Sequence, residues 1–135
     1  MDVLPIALKL RGQRCLLVGG GGIAQRKARL LLGAGAVIDV LSPEILPELL
    51  ADMTHSGGQH HAHVYPYEID FKQYRLVIAA TDDAAVNAQV FVDCEAVGVL
   101  VNSVDDPPHC RFIVPAIIDR SPLLVSISTN GNAPV

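Results

Sequence analysis

The chain has 135 residues, half of them hydrophobic and 18% charged, with a formal net charge of −4. That length suits one domain with a real core, and the low charge content excludes a disordered chain. The acidic balance argues against generic nucleic-acid binding, and no apolar run approaches the length of a membrane span.

The N-terminus, MDVLPIALKLRG, lacks the apolar core and cleavage site of a secretory signal. Leu4 to Leu10 alternates loosely, as an edge strand or a short docking segment would. Arg14 to Val18 holds the apolar run Cys15-Leu16-Leu17-Val18 and suits a buried parallel strand. A helical pattern then runs from about Gly22 to Leu32. Ile23, Ala24, Ala28, Leu31 and Leu32 fall on one side, with Gln25, Arg26, Lys27 and Arg29 mostly on the other. Gly33-Ala34-Gly35 ends that helix.

Val37 to Leu41 reads as the second strand, and Ser42-Pro43 turns into a helix over Ile45 to Met53. His55 to His63 is polar and glycine-bearing, a loop by composition. Val64 to Tyr67 reads as a short strand and Leu76 to Ala80 as a buried one. Asp82 or Asp83 can cap a helix over Ala84 to Val97, which Gly98 ends. Val99 to Val101 is the next strand. The alternation predicts an α/β fold, a Rossmann-type open parallel sheet over residues 1–111.

Beyond it, Phe112 to Ile118 and Leu123 to Ser128 are apolar runs joined by Asp119-Arg120-Ser121-Pro122. They predict an appended β-hairpin. A hairpin so apolar would aggregate if exposed, so residues 112–128 are expected to pair with a second copy in a homodimer. The last six residues, Asn130 to Val135, read as a loop leading into more chain, so a longer protein is expected.

Gly19-x-Gly21-x-x-Ala24 matches the dinucleotide fingerprint, and it lies where it should, between a strand and a helix. Gly19 allows the tight turn, Gly21 lets the backbone approach a pyrophosphate, and Ala24 lets helix and strand pack closely. The helix N-terminus then offers its N–H groups to the phosphates. The alternative is a glycine-rich turn that binds nothing; the context favours the nucleotide. Such sites place an acid at the end of the second strand for the ribose. Asp39 lies too early, inside the strand. Glu44 is the better placed, unless it is only a first-turn acid of the next helix. No Arg or Lys occurs from Leu41 to Glu48, which favours NAD over NADP.

Thr81 and Asp82 follow another strand and are placed to line the same crevice, with helix capping as the competing role. Asn102-Ser103-Val104-Asp105-Asp106 ends the next strand at that edge. Its paired acids read either as a base or metal holder, or as a solvated turn. His55, His60, His61 and His63 lack the spacing of a metal site and read as a surface loop. Cys15 and Cys94 read as core residues in a reducing cytoplasm, and Cys110 as a loop thiol.

Four stretches together resemble the N-terminal part of siroheme synthase, the precorrin-2 dehydrogenase and sirohydrochlorin ferrochelatase family. They are LPIALKLRGQRCLLVGGGGIAQRKARLLLGAGA, AATDDAAVN, VNSVDDP and FIVPAIIDRSPLLVSIST. The resemblance runs from Leu4 to Val135. It implies that precorrin-2 gives a hydride to NAD⁺ to become sirohydrochlorin, and that the same site then inserts Fe²⁺, a substrate, with no permanent metal site. It implies a homodimer through the hairpin. By position, the family's catalytic aspartate falls on Asp105, and its cofactor contacts on Gly22, Ile23, Pro43 and Glu44. A serine phosphorylated in some members falls on Thr129. The substrate's many carboxylates call for cations, for which Arg111 and Arg120 are candidates, and Asn102 is a candidate contact. Two rivals remain from the sequence: a nucleotide-sensing regulatory module, which lacks the IIDRSPL hairpin, and a small dehydrogenase for another substrate.

Overall fold

The computed structural model describes residues 1–130. The chain runs β1 (Arg14–Val18), α1 (Gly22–Gly33), β2 (Val37–Leu41), α2 (Pro47–Ser56), β3 (His60–His61), β4 (Leu76–Ala79), α3 (Ala84–Ala96) and β5 (Leu100–Ser103). These strands form one parallel sheet in the order β3-β2-β1-β4-β5. An antiparallel hairpin follows, β6 (Ala116–Arg120) and β7 (Leu123–Ile127). This is the Rossmann-type sheet with appended hairpin that the sequence predicts.

The strand pattern explains the layering. Strands of a parallel sheet are covered on both faces, so they are apolar throughout rather than alternating. Cys15, Leu17, Ile38, Val40, Leu76 and Ile78 point to one side and pack against α1 and α2. Leu16, Val18, Leu41, Val77 and Ala79 point to the other, toward α3 and the rings of Tyr65, Phe71 and Tyr74. Successive side chains alternate across a strand, and this sheet buries both sets. β1 lies at the centre, with Val18 opposite Leu41 on one side and Ala79 on the other. After β3 the chain crosses to the far side of β1, which opens a crevice at the carboxyl edge between β1 and β4. Sheets of this kind bind ligands at that reversal of strand order.

Asp39 breaks the apolar pattern. It is 2% exposed, in the middle of β2. Arg14 Nη2 donates to Oδ1 at 2.7 Å, the Gln59 N–H donates to the same oxygen at 2.9 Å, and the Tyr74 hydroxyl donates to Oδ2 at 2.7 Å. A buried carboxylate is tolerable only when it is so supplied. Burial, and then the Asp39 carboxylate beside it, push the Tyr74 hydroxyl's pKa up.

Several boundaries differ from expectation. α2 starts at Pro47 rather than Ile45, because proline is preset for a first helical position. It continues past Met53 to Ser56, where Gly57 stops it at a φ of 91°. His60–His61 pairs with Val40 and Leu41, so the histidine-bearing loop contributes the edge strand. Val64 to Tyr67 forms none. Polar composition hid β3, since an edge strand needs a partner on one side only. Gln25, expected on the solvent side of α1, is buried, because α2 lies over it and Asp52 accepts its amide N–H at 2.7 Å. Leu4 to Leu10 forms no strand; Leu4 and Ile6 are exposed and Leu10 is buried. β5 extends past Val101 to Ser103, and β6 begins at Ala116 rather than Phe112.

Candidate functional site

Two cavities open along the carboxyl edge of the sheet. The first, about 600 Å³, is bounded by the β1–α1 turn, the β2–α2 turn and the β4–α3 turn. Its floor is the glycine run, and each glycine answers a different constraint. Gly19 has a φ of 127°, and a Cβ there would strike the Ala80 carbonyl. A Cβ on Gly20 would strike the Glu44 carbonyl and press on Ser42 Oγ. Gly21 and Gly22 face open space, with nothing within 4 Å of an added Cβ. Gly19 and Gly20 thus let three turns close on one another, while Gly21 and Gly22 leave room for something else.

α1 has no side-chain cap and no acid in its first turn. In contrast, Asp83 caps α3 by accepting from the Ala85 N–H at 2.9 Å. An uncapped helix N-terminus facing a glycine-lined cavity is where phosphate oxygens bind. Ala24 is fully buried beneath it, as close helix-to-strand packing requires. The charged side chains lining this cavity are Glu44, Asp82 and Asp83; neither Lys nor Arg is among them. The arrangement fits a dinucleotide, with an opening for the pyrophosphate at the helix N-terminus.

Pro43 and Glu44 are exposed on the cavity rim, and Ile23 is half-buried. Thr81 is held within its own turn. Its hydroxyl donates to Asn87 Oδ1 at 2.6 Å, and Asn87 Nδ2 returns a bond to the Thr81 carbonyl at 3.1 Å. Asp82 is exposed at the rim and Asp83 is the residue that caps α3. Sequence reasoning missed part of this wall. His63, Val64 and Tyr65 line the cavity, and His60 Nε2 braces the β2–α2 turn through the Ser42 carbonyl at 2.9 Å. The signal was present in composition only, as aromatic and histidine residues in a segment that otherwise reads as a loop.

The second cavity, about 510 Å³, lies beside the first, and Ile23 borders both. It is lined by Asn102 to Pro107, by Arg26, Lys27 and Leu30 of α1, and by the segment Ile113–Pro115 that leads into the hairpin. Asp105 is exposed and has a φ of 56°, a left-handed conformation that aspartate tolerates better than most residues. Asp106 is paired with His109 Nδ1 at 2.7 Å. Cys110 is half-buried, and its Sγ donates to the Ser103 carbonyl at 3.1 Å. Burial raises its thiol pKa, so it is no ready nucleophile. Asn102 lines the cavity too, but its Nδ2 donates to the Phe112 carbonyl at 2.9 Å and ties β5 to the hairpin's approach.

Asp105 and Asn102 therefore meet in one cavity, next to the one formed by Gly19, Gly21, Gly22, Ile23, Pro43, Glu44, Thr81 and Asp82. Arg111 and Arg120 lie outside both cavities. Arg111 Nε donates to Glu95 on α3 at 2.7 Å, and Arg120 is exposed at the hairpin turn. The cations that do line the second cavity are Arg26 and Lys27, which stand three and four positions after Ile23. Helical periodicity puts these three on one strip of α1, a signal legible in the sequence.

Residues 6–116 match the family of NAD(P)-binding proteins. The chain is 54% identical to the siroheme synthase of Acinetobacter baylyi over its whole length, covering 30% of that protein. It is 55% identical to the siroheme synthase of Chromobacterium violaceum, covering 28% of it. The chain thus spans less than a third of these relatives. Among solved structures it resembles SirC, a precorrin-2 dehydrogenase, with a TM-score of 0.76 and 29% identity, covering 98% of this chain and 64% of that one.

Proposed function

The chain belongs to this NAD(P)-binding family, and from that premise we propose that it is the dehydrogenase part of a siroheme synthase. It oxidises precorrin-2 to sirohydrochlorin with NAD⁺. The observation that carries this reading is the pair of adjoining cavities. One is glycine-floored and set at an uncapped helix N-terminus; the other holds Asp105, whose carboxylate has no partner among the described residues.

Gly21 and Gly22 admit the pyrophosphate, Glu44 takes the ribose hydroxyls, and Pro43 with Ile23 orients the rest of the dinucleotide. Asp82 and Thr81 bound the far wall. When bound, NAD⁺ supplies the hydride acceptor. Precorrin-2 then loses one hydrogen with its electron pair and one as a proton. Asp105 accepts that proton, within reach of the second cavity, and passes it to solvent. Asn102 positions the macrocycle's edge. The same carboxylate supports the later exchange of two pyrrole N–H protons for Fe²⁺, a metal that is substrate and not resident.

The hairpin bears on assembly. Ile117, Ile118, Leu123, Leu124, Val125 and Ile127 are all exposed, on both faces of β6–β7. A two-stranded ribbon of that kind is not stable in water alone. It pairs with a second copy through residues 112–128, beside a cofactor domain over residues 1–111; of the expected dimerisation region 112–135, residues 131–135 lie outside the described residues. No helix among the described residues is long and apolar enough to cross a membrane. The unpaired thiols of Cys15, Cys94 and Cys110 suit the cytoplasm.

The test is anaerobic incubation of the whole native protein with precorrin-2 and either NAD⁺ or NADP⁺. NADH and sirohydrochlorin should appear in equal amounts, with NAD⁺ giving the higher kcat/KM. No oxidation with either cofactor would refute the dehydrogenase reading, and a preference for NADP⁺ would refute the cofactor assignment.

A further inference from the structure

We propose that Arg26 and Lys27 form a cationic clamp for the carboxylates of the substrate ring. The proposal rests on the dehydrogenase reading and adds the residues that recognise the substrate's charge.

Ile23, Arg26 and Lys27 stand at i, i+3 and i+4 on α1 and line the second cavity with Asp105. Three other arginines are engaged, Arg14 with Asp39, Arg75 with Gln13 and Arg111 with Glu95, and none of the three lines this cavity. Arg26 and Lys27 have no ion pair or hydrogen bond among the described residues. Lys27 is half-buried even so, with no acidic partner among the described residues. The neighbouring acids do not quench the pair, because Asp106 is already taken by His109. Among the described residues, the cavity thus holds two unmatched cations against the one unpaired carboxylate of Asp105.

The first cavity carries the opposite sign, with Glu44, Asp82 and Asp83 and no cation. A polyanionic ligand is therefore directed to the second cavity, and the boundary falls at Ile23. A tetrapyrrole bearing acetate and propionate arms matches that polarity. Arg26 offers a planar fork suited to one carboxylate, and Lys27 a point charge suited to another. Held by its rim, the ring's oxidisable carbon is turned toward Ile23 and the dinucleotide.

The test uses the whole native protein with precorrin-2 at saturating NAD⁺. Arg26→Gln and Lys27→Gln should each raise KM for precorrin-2 by about tenfold, the scale of one lost charge-assisted contact. The Kd for NAD⁺ should stay as in the wild type, and Lys27→Arg should restore most of the KM. The wild-type KM should climb with ionic strength, and that of the double variant should respond less. A double variant with wild-type KM and wild-type salt response overturns the clamp alone. A double variant that also loses NAD⁺ affinity overturns it too, since damage to α1 then explains the result. No oxidation by the wild type overturns the dehydrogenase reading and the clamp with it.

Discussion

His109 Nδ1 donates a hydrogen bond to Asp106 Oδ2 at 2.7 Å across the short turn Pro107–His109. The pair distinguishes two adjacent carboxylates. Asp106 is committed to its own turn, while Asp105 is exposed at the rim of the second cavity in a left-handed backbone conformation. Glycine, asparagine and aspartate accept that conformation, whereas alanine there costs about 1–2 kcal/mol. Asp105→Asn is therefore the cleaner probe. It should cut dehydrogenation about a hundredfold or more while leaving the melting temperature and NAD⁺ affinity near wild type. Asp106→Asn should cost little turnover and some local stability. Steady-state kinetics on both variants decide the matter, and near-normal turnover in Asp105→Asn would remove the proposed base.

The glycine run separates two kinds of damage. Gly21→Val puts its side chain into open space, at a φ of −97° that any residue adopts. The protein should fold with a melting temperature within a few degrees of wild type and lose measurable NAD⁺ binding. Gly20→Ala instead drives a methyl into the Glu44 carbonyl, which belongs to backbone and cannot step aside. It should destabilise by about 1–3 kcal/mol, the usual cost of overpacking. Calorimetry and thermal melts on the two variants would show the contrast. An unfolded Gly21→Val, or a stable Gly20→Ala, would contradict it.

Asp39 reads as architecture. Tyr74→Phe removes one of its three donors and should cost about 1–3 kcal/mol. The loss should show as a lower urea midpoint with an unchanged slope. The Kd for NAD⁺ should not move, because Asp39 points toward Tyr74 and not toward the crevice. A weakened Kd at unchanged stability would instead place Asp39 in the cofactor site.

Alkaline pH should destabilise the fold in steps. Burial pushes the Cys15 thiol up to about 11 and the Cys94 thiol up to about 12, from an ordinary value of 9.0. Raised values mean that the folded state keeps protons which the unfolded chain gives up. Their contribution is fully present below about pH 9 and fades as pH climbs through the folded values. Each thiol adds a slope of up to about 1.4 kcal/mol per pH unit in that window. The buried hydroxyls of Tyr65 and Tyr74, raised chiefly by burial and then by Asp93 and Asp39, steepen the fall above about pH 10. Urea midpoints measured from pH 8 to 11 should decline from about pH 9, and Cys94→Ala should flatten the curve. A level profile would contradict the burial argument.

The legible parts of the fold were those that one periodicity decides. Arg14–Val18 and Val37–Leu41 end where the apolar runs end, and Gly57 and Gly98 mark helix stops by their positive φ. β3 was illegible because pairing on an edge depends on the neighbour's free hydrogen bonds and not on the polar residues His60 and His61. Gln25 was misplaced because the one-dimensional pattern does not know that α2 lies over α1. At the cavity edges, the glycine turn between β1 and α1 and the placement of Asp105 after β5 could be read from motif position. The wall at His63 to Tyr65 could not, since it is brought there by the turn after β3. Arg26 and Lys27 needed the second cavity to be seen before their spacing from Ile23 had a meaning.

Among the described residues, Ile23 alone borders both cavities. Substitutions on the two sides of it should therefore be energetically additive. A change at Glu44 should alter cofactor affinity by the same factor whether or not Lys27 has been replaced, within about 0.5 kcal/mol. Position 23 is the exception, where bulk sets the spacing between donor and acceptor and a single methylene is felt in both compartments. A double-mutant cycle on Glu44 and Lys27, set beside one on Glu44 and Ile23, would show whether the two halves of the site can be redesigned one at a time.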